Sequence, residues 1–207
     1  MKSLTVFCGS RPGNNPLYMA QAHELGRLLN QKGISLVFGG GNHGLMGAVC
    51  DGILEGDAPG GVVAVIPKFM IEQVHVKVGK VDVVQTMHER KAMMAKEGDG
   101  FVALPGTGFP PQSNWMNCTL QLSKFWVFLL GGIGTLEEIT EMITWSALGL
   151  HSKPVAVLNT AGFYDHLLGH WKKMHDEGFV TEDVYGRLIV ASTPTELLEK
   201  MLAYHHR

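Results

Sequence analysis

Short apolar, β-rich runs alternate with stretches of helical spacing along most of this chain. Runs at 4–9, 34–38, 61–66, 81–85, 100–104, 154–158 and 188–190 read as strands. Between them Pro16 suits the start of a helix and Gly33 its end, and 45–55, 87–97, 136–148 and 196–204 show helical spacing. Such alternation predicts an α/β fold, a Rossmann-like doubly wound parallel sheet covered by helices on both faces and forming one domain over residues 1–207. Open sheets of this kind hold ligands beyond the carboxyl ends of their strands.

Two glycine-rich turns fall at such ends. Gly39-Gly40-Gly41-Asn42-His43-Gly44 follows the second run, and Gly131-Gly132-Ile133-Gly134-Thr135 follows an apolar run at 125–130. Glycine lets the backbone approach closely, and the helix that follows offers unpaired N–H groups and a positive dipole end to an anion, so the pair implies a phosphate-bearing ligand. Gly39, Gly41 and Gly44 match the dinucleotide spacing GxGxxG. However, the next strand ends in Pro67-Lys68 rather than in an acidic residue for a ribose, so a mononucleotide is favoured over NAD. The absence of a GxxxxGK[ST] loop disfavours a P-loop NTPase.

The rhythm breaks once. Residues 107–130, with Pro110, Pro111, Asn114, Asn117 and an apolar end, stand where a connection of about two to six residues is expected. This stretch is either an insertion or a second candidate for the strand.

Composition narrows the rest. The 207 residues carry a net charge of −2 with scattered Lys and Arg, which gives no basic field for nucleic acid. No run is long and apolar enough for a membrane span, and the strand pattern begins too early for a leader, so a cytoplasmic protein is expected. Cys8, Cys50 and Cys118 are odd in number and far apart, which suggests neither a disulfide framework nor a zinc site. The ten histidines show no metal-ligand spacing: His205 and His206 lie at the end of the chain, and His170 and His175 are five apart on one helix. No metal site is expected. Met93, Met94, Met142 and Trp145, at helical spacing, read as core.

Two helix starts carry charge that needs explaining. Thr135 and Glu138 make a T-x-x-E capping box, and Glu137 would be favoured by the helix dipole whatever its chemistry. The three neighbouring glycines speak for more than a cap. Thr86 to Glu89 form a second capping box, followed by Arg90 and Lys91. Cations near a helix start oppose the dipole by roughly 0.3–1 kcal/mol each, which points to an anionic ligand nearby, against the plain alternative of two solvated surface charges.

Taken together, Phe7 to Gly13 (FCGSRPG), Gly39 to Gly47 (GGGNHGLMG), Met87 to Lys91 (MHERK), Gly132 to Glu138 (GIGTLEE) and Ile143-Thr144-Trp145 resemble the LOG family of cytokinin riboside 5′-monophosphate phosphoribohydrolases, often labelled lysine decarboxylases. The resemblance runs from about residue 4 to 202. It implies hydrolysis of the N-glycosidic bond of N6-substituted adenosine 5′-monophosphates, with Arg90 and Glu138 as the catalytic pair and no metal or organic cofactor required. It also implies that Glu72, Lys91, Gly132, Ile133, Gly134, Thr135, Leu136, Glu137 and Thr144 hold substrate. Ser10 and the turn glycines Gly40, Gly41 and Gly44 complete the candidate binding set. The expected partner is a small nucleoside 5′-monophosphate, and the family implies a homodimer, to which the apolar helix at 136–150 could contribute. The alternatives are a nucleosidase for AMP or another nucleoside monophosphate, and a module that holds a nucleotide without turnover.

The chain departs from the family at one place. The pattern PGGxGTxxE is split after Leu104-Pro105-Gly106, and deleting residues 107–131 would restore DGFVALPGGIGTLEE. Runs 101–106 and 126–131 then compete for one central strand. The first is favoured, because it follows its own helix by a short connection and keeps Pro105. The split motif predicts impaired activity.

Overall fold

A computed structural model of the chain describes residues 1–56, 61–73, 79–106 and 133–204, without the side chains of residues 72 and 73. Seven strands form one parallel sheet: β1 (Ser3–Phe7), β2 (Ser35–Phe38), β3 (Val62–Pro67), β4 (Lys80–Val84), β5 (Phe101–Ala103), β6 (Val155–Leu158) and β7 (Leu188–Ala191). Their order across the sheet is β4-β3-β2-β1-β5-β6-β7. The chain works outward from β1 to one edge, then returns to the other side of β1 to lay down β5. The order therefore reverses between β1 and β5, which opens a crevice at their carboxyl ends.

The competition for the central strand goes to the first candidate. Phe101, Val102 and Ala103 pair with Thr5, Val6 and Phe7 on one side and with Val155, Ala156 and Val157 on the other. The second candidate, 126–131, lies outside the described residues. All seven expected strands are present, with ends shifted by one or two residues.

Helices cover both faces. On the first lie α1 (Pro16–Gln31), α2 (Gly44–Leu54) and α7 (Pro194–Leu202), burying Leu25, Leu29, Val49, Ile53, Leu197 and Met201 against Leu4, Val6, Leu36 and Phe38. Here α1 and α2 meet backbone to backbone. A Cβ on Gly26 would lie 2.1 Å from the Val49 carbonyl oxygen, and one on Gly52 would lie 2.1 Å from that of His23. On the second face lie α3 (Met87–Glu97), α4 (Ile133–Ala147) and α5 (Asp165–Asp176), burying Met94, Ile139, Met142 and Ile143 against Phe7, Val37, Val65 and Phe101. Met93 and Trp145 pack at the margin of that core, as their spacing predicts. The helix expected around His170 and His175 is α5. The four-residue α6 (Glu182–Tyr185) was not anticipated.

Candidate active site

The site forms where the chain folds back at the β1/β5 reversal. Leu104 donates its amide to the Phe7 carbonyl, and Gly106 sits so close to Cys8 and Gly9 that a Cβ there would meet the Gly9 nitrogen at 2.0 Å. The buried Tyr164 hydroxyl donates to the Leu104 carbonyl at 2.8 Å and ties this loop to the second face. From β1 the chain passes Ser10, half-buried, whose backbone lies against the first turn of α2. Gly44 opens that helix with φ +56°, and any side chain there would run into Ser10 and Arg11. Met46 then donates its amide to the Gly9 carbonyl at 3.2 Å.

Arg90 and Glu138 meet in this crevice. Thr86 caps α3 in the expected capping box, its hydroxyl accepting from the Glu89 amide, and this places Arg90 in the second turn facing α4. Arg90 Nη1 donates to Glu138 Oε1 at 2.6 Å, and Arg90 Nε donates to the Val65 carbonyl at 3.2 Å. The side chains are 12% and 11% exposed, so the pair is largely withdrawn from water. Burial pushes the Glu138 carboxyl above the usual carboxylate range and Glu137 adds to that, while Arg90 and Lys91 pull it back. The neighbouring Cys8 thiol is pushed far up, chiefly by burial and then by the charge of Glu138.

Gly39 supplies the remaining wall. A Cβ there would stand 2.3 Å from Arg90 Nη2, so the first residue of the glycine turn is the floor under the guanidinium. The Met46 sulfur backs the same turn from the other side, 3.5 Å and 2.9 Å from the Cβ positions of Gly39 and Gly41. Sequence reasoning put Gly39 in the phosphate turn and Gly40, Gly41 and Gly44 in the binding set, but missed that Gly39 seats Arg90 and that Met46 backs the turn. The signal for Gly39 was there, as the first glycine of the pattern, but its partner lies about fifty positions away.

The anion that Arg90 and Lys91 call for is supplied first by the protein itself. Lys91 is buried; its ammonium donates a hydrogen bond to Glu137 and stands 3.0 Å from Glu141 Oε2 as an ion pair. Glu138 serves Arg90, and Thr135 lies within α4 rather than at its N-cap, because the helix already runs from Ile133. Thr135 is buried, Leu136 packs at the edge of the second core, Gly134 is half-buried with open space where a Cβ would be, and Ile133 is exposed. Gly40 and Gly41 line the turn beside the pair. Thr144 is not brought to it: the residue is exposed on α4, its hydroxyl donating to the Thr140 carbonyl, about 9 Å farther along the helix axis than Glu138 at 1.5 Å per residue. Glu72 falls in the short 3-10 helix Lys68–Gln73 after β3, and its side chain lies outside the described residues, as do Gly132, Cys118, His205 and His206. Among the described residues no helix is long and apolar enough to cross a membrane.

Known proteins share this arrangement of motifs. A family model described as possible lysine decarboxylase matches residues 46–109 and 117–201, and the break between the two ranges falls within residues 107–131, which split the glycine motif. The chain is 42% identical over 203 residues to a probable cytokinin riboside 5′-monophosphate phosphoribohydrolase of Oryza sativa subsp. japonica, LOGL1, covering 97% of this chain and 79% of that protein. It is 40% identical to the rice enzyme LOG, covering 98% and 74%, and 39% identical to LOG1 of Arabidopsis thaliana, covering 98% and 84%. The chain belongs to the LOG family.

Among solved structures, this LOG-family chain resembles the molybdenum cofactor binding protein of Rippkaea orientalis, with a TM-score of 0.64 at 19% identity over 98% of this chain and 97% of that one. The molybdenum cofactor carrier protein of Chlamydomonas reinhardtii gives a TM-score of 0.64 at 18% identity, covering 99% and 100%. At such identities the likeness speaks for the fold alone.

Proposed function

We propose that the chain is a phosphoribohydrolase that cleaves the N-glycosidic bond of cytokinin riboside 5′-monophosphates, releasing the free base and ribose 5-phosphate. The observation that carries this reading is the 2.6 Å contact of Arg90 with Glu138 at the sheet's reversal point, in a chain of the LOG family. As the bond from the anomeric carbon to the base nitrogen breaks, its electron pair leaves with the base and positive charge grows on the ribose ring. A carboxylate beside that carbon stabilises the charge and orients the water whose oxygen forms the new bond. The water's proton leaves through the same carboxylate and ends on the base. Glu138 fits this role because burial raises its affinity for a proton while Arg90 holds it in place. Arg90, fixed by Val65 and Gly39, supplies positive charge toward the phosphate or the ribose hydroxyls.

The remaining candidates take the binding role in this proposal. Gly40, Gly41, Gly44 and Ser10 border the crevice from the first turn, and Ile133 to Glu137 border it from α4; Gly132, outside the described residues, keeps its expected place in the binding set. A homodimer is part of the same reading, supported by the exposed apolar side chains Ile133, Leu148 and Leu150 on and just after α4. The split motif is proposed to weaken substrate binding more than chemistry, since Arg90 and Glu138 meet in the chain that carries the insertion, whereas the glycines next to the split are the expected phosphate ligands.

The test is direct. Purified protein incubated with a cytokinin riboside 5′-monophosphate should release free base, and Glu138→Gln should abolish the release while leaving the protein folded. Binding of the nucleotide without free base would favour the holding module instead, and faster release from AMP would favour the broader nucleosidase.

A further inference from the structure

Consecutive residues of α3 reach α4 in different ways. Arg90 meets Glu138 alone, whereas Lys91 reaches two carboxylates one helical turn apart, Glu137 and Glu141. The Lys91 side chain is 7% exposed, against 52% for Glu137 and 24% for Glu141, so the ammonium lies beneath its partners and away from solvent. Both ends of a bound phosphate's reach are thereby closed to it: the charge is spent on two helix residues spaced i and i+4, and the nitrogen sits under them. A side chain so placed fixes how far α4 slides along α3, and with it the meeting of Arg90 and Glu138.

We propose that Lys91 is a positioning residue which, through Glu137 and Glu141, locks the register of α3 against α4 and thereby holds Arg90 on Glu138, rather than a ligand for the substrate. The clamp also sets the field around the carboxylate. Glu138 faces Arg90 and Lys91 from α3, Glu137 from its own helix and Cys8 from the residue just after β1. Of these, Glu137 disfavours its ionisation and Lys91 favours it. Removing the ammonium leaves Glu137 and Glu141 uncompensated one turn around Glu138.

The proposal rests on the hydrolase reading for its kinetic part only, and the experiment separates the two. In Lys91→Met, kcat for base release should fall about tenfold to a hundredfold, the range expected when a reacting group is displaced by about an ångström, with KM changed less than threefold. The acid limb of its pH–rate profile should move to higher pH. Lys91→Arg should restore most of kcat. A rise in KM of tenfold or more at unchanged kcat would overturn the proposal and make Lys91 a substrate ligand. Thermal unfolding of Lys91→Met, Glu141→Gln and the double variant needs no activity: the shift caused by Glu141→Gln should be at most half as large in the Lys91→Met background as in the parent. Additive shifts would overturn the clamp even if the protein proved not to be a hydrolase, and coupled shifts without base release would leave the clamp standing while sinking the hydrolase reading.

Discussion

The two faces of the sheet are built on different principles. On the first face α1 and α2 touch through Gly26 and Gly52 with carbonyl oxygens where a side chain would be, over a core of aliphatic residues. On the second, α3 and α4 are joined by ionic contacts, Arg90 to Glu138 and Lys91 to Glu137 and Glu141. Close backbone packing gives one arrangement that no small adjustment preserves. Buried ion pairs add little net stability, because desolvation offsets most of their attraction, but removing one partner strands the other. The first face is thus a rigid backing and the second holds polarised groups in a nearly dry crevice. Replacements on the two faces should therefore separate stability from activity.

The largest effect should come from Glu138→Gln, which keeps the shape of the side chain and removes its charge. Base release should fall by at least about a hundredfold, the scale of losing a group that stabilises transition-state charge. Stability should move the other way with pH. Because the folded carboxyl holds its proton more tightly than the unfolded one, the parent loses stability as pH rises through the usual glutamate range toward the raised folded value. The variant lacks this loss, so chemical denaturation should show it gaining on the parent as pH rises above the usual glutamate value of about 4.3. In the parent, base release should fall on acidification at a pH above the ordinary carboxylate value, since the ionised form is the working one.

Gly39→Ala tests whether the guanidinium seat matters as much as the charge. An added methyl 2.3 Å from Arg90 Nη2 must push the guanidinium off its position. A tenfold to hundredfold drop in kcat is expected, roughly the cost of a misplacement near an ångström. Ordinary kinetics in this variant would mean that the first glycine turn serves only the ligand.

On the opposite face, Gly52→Ala should do the reverse. The methyl would lie 2.1 Å from a backbone oxygen of α1, so the helices must separate, at a cost of about 1–3 kcal/mol for overpacking a dense interface. Denaturant unfolding should report that loss, while the folded fraction turns over at the parent rate. A matching fall in kcat would show that the two faces are not independent.

How much of this was open to reading follows from the same contrast. The strands were legible because parallel strands covered on both faces are continuous apolar runs, and β5 was legible because Pro105 and its short connection to α3 pointed to 101–106 over 126–131. The Thr86 capping box was legible because a cap is local. α6 was missed because four residues cannot show a period. The charged side of the site was half legible: Arg90 and Glu138 came from the family resemblance, and the cations at a helix start were read as calling for an anionic ligand, with no sign in the sequence that Glu137, Glu138 and Glu141 already meet them. A pairing across about fifty residues leaves no periodic trace. Gly39 was read only as part of a phosphate turn, and its contact with Arg90 was missed for the same reason, since only the fold shows which group stands over it.

The smallest expected effect concerns the joint between the faces. Tyr164 spans from the second face to the Leu104 carbonyl, just before Pro105 and Gly106 enter the crevice. Burial pushes its hydroxyl well above the usual tyrosine range, so it stays a neutral donor at any working pH. Tyr164→Phe keeps the ring, its edge-on contact with Phe163 and its packing, and removes only the donor. Among the described residues Tyr164 is the donor shown for this carbonyl, so the loss should be about 1–3 kcal/mol, the cost of leaving a buried acceptor unmet. If the loop after β5 is held chiefly by the β1/β5 ladder, in which Leu104 donates to Phe7, kcat should stay within about twofold of the parent while stability falls. A kinetic loss larger than the stability loss would instead assign Tyr164 to the site, and the division of labour between a packed face and a charged one would have to be redrawn at this residue.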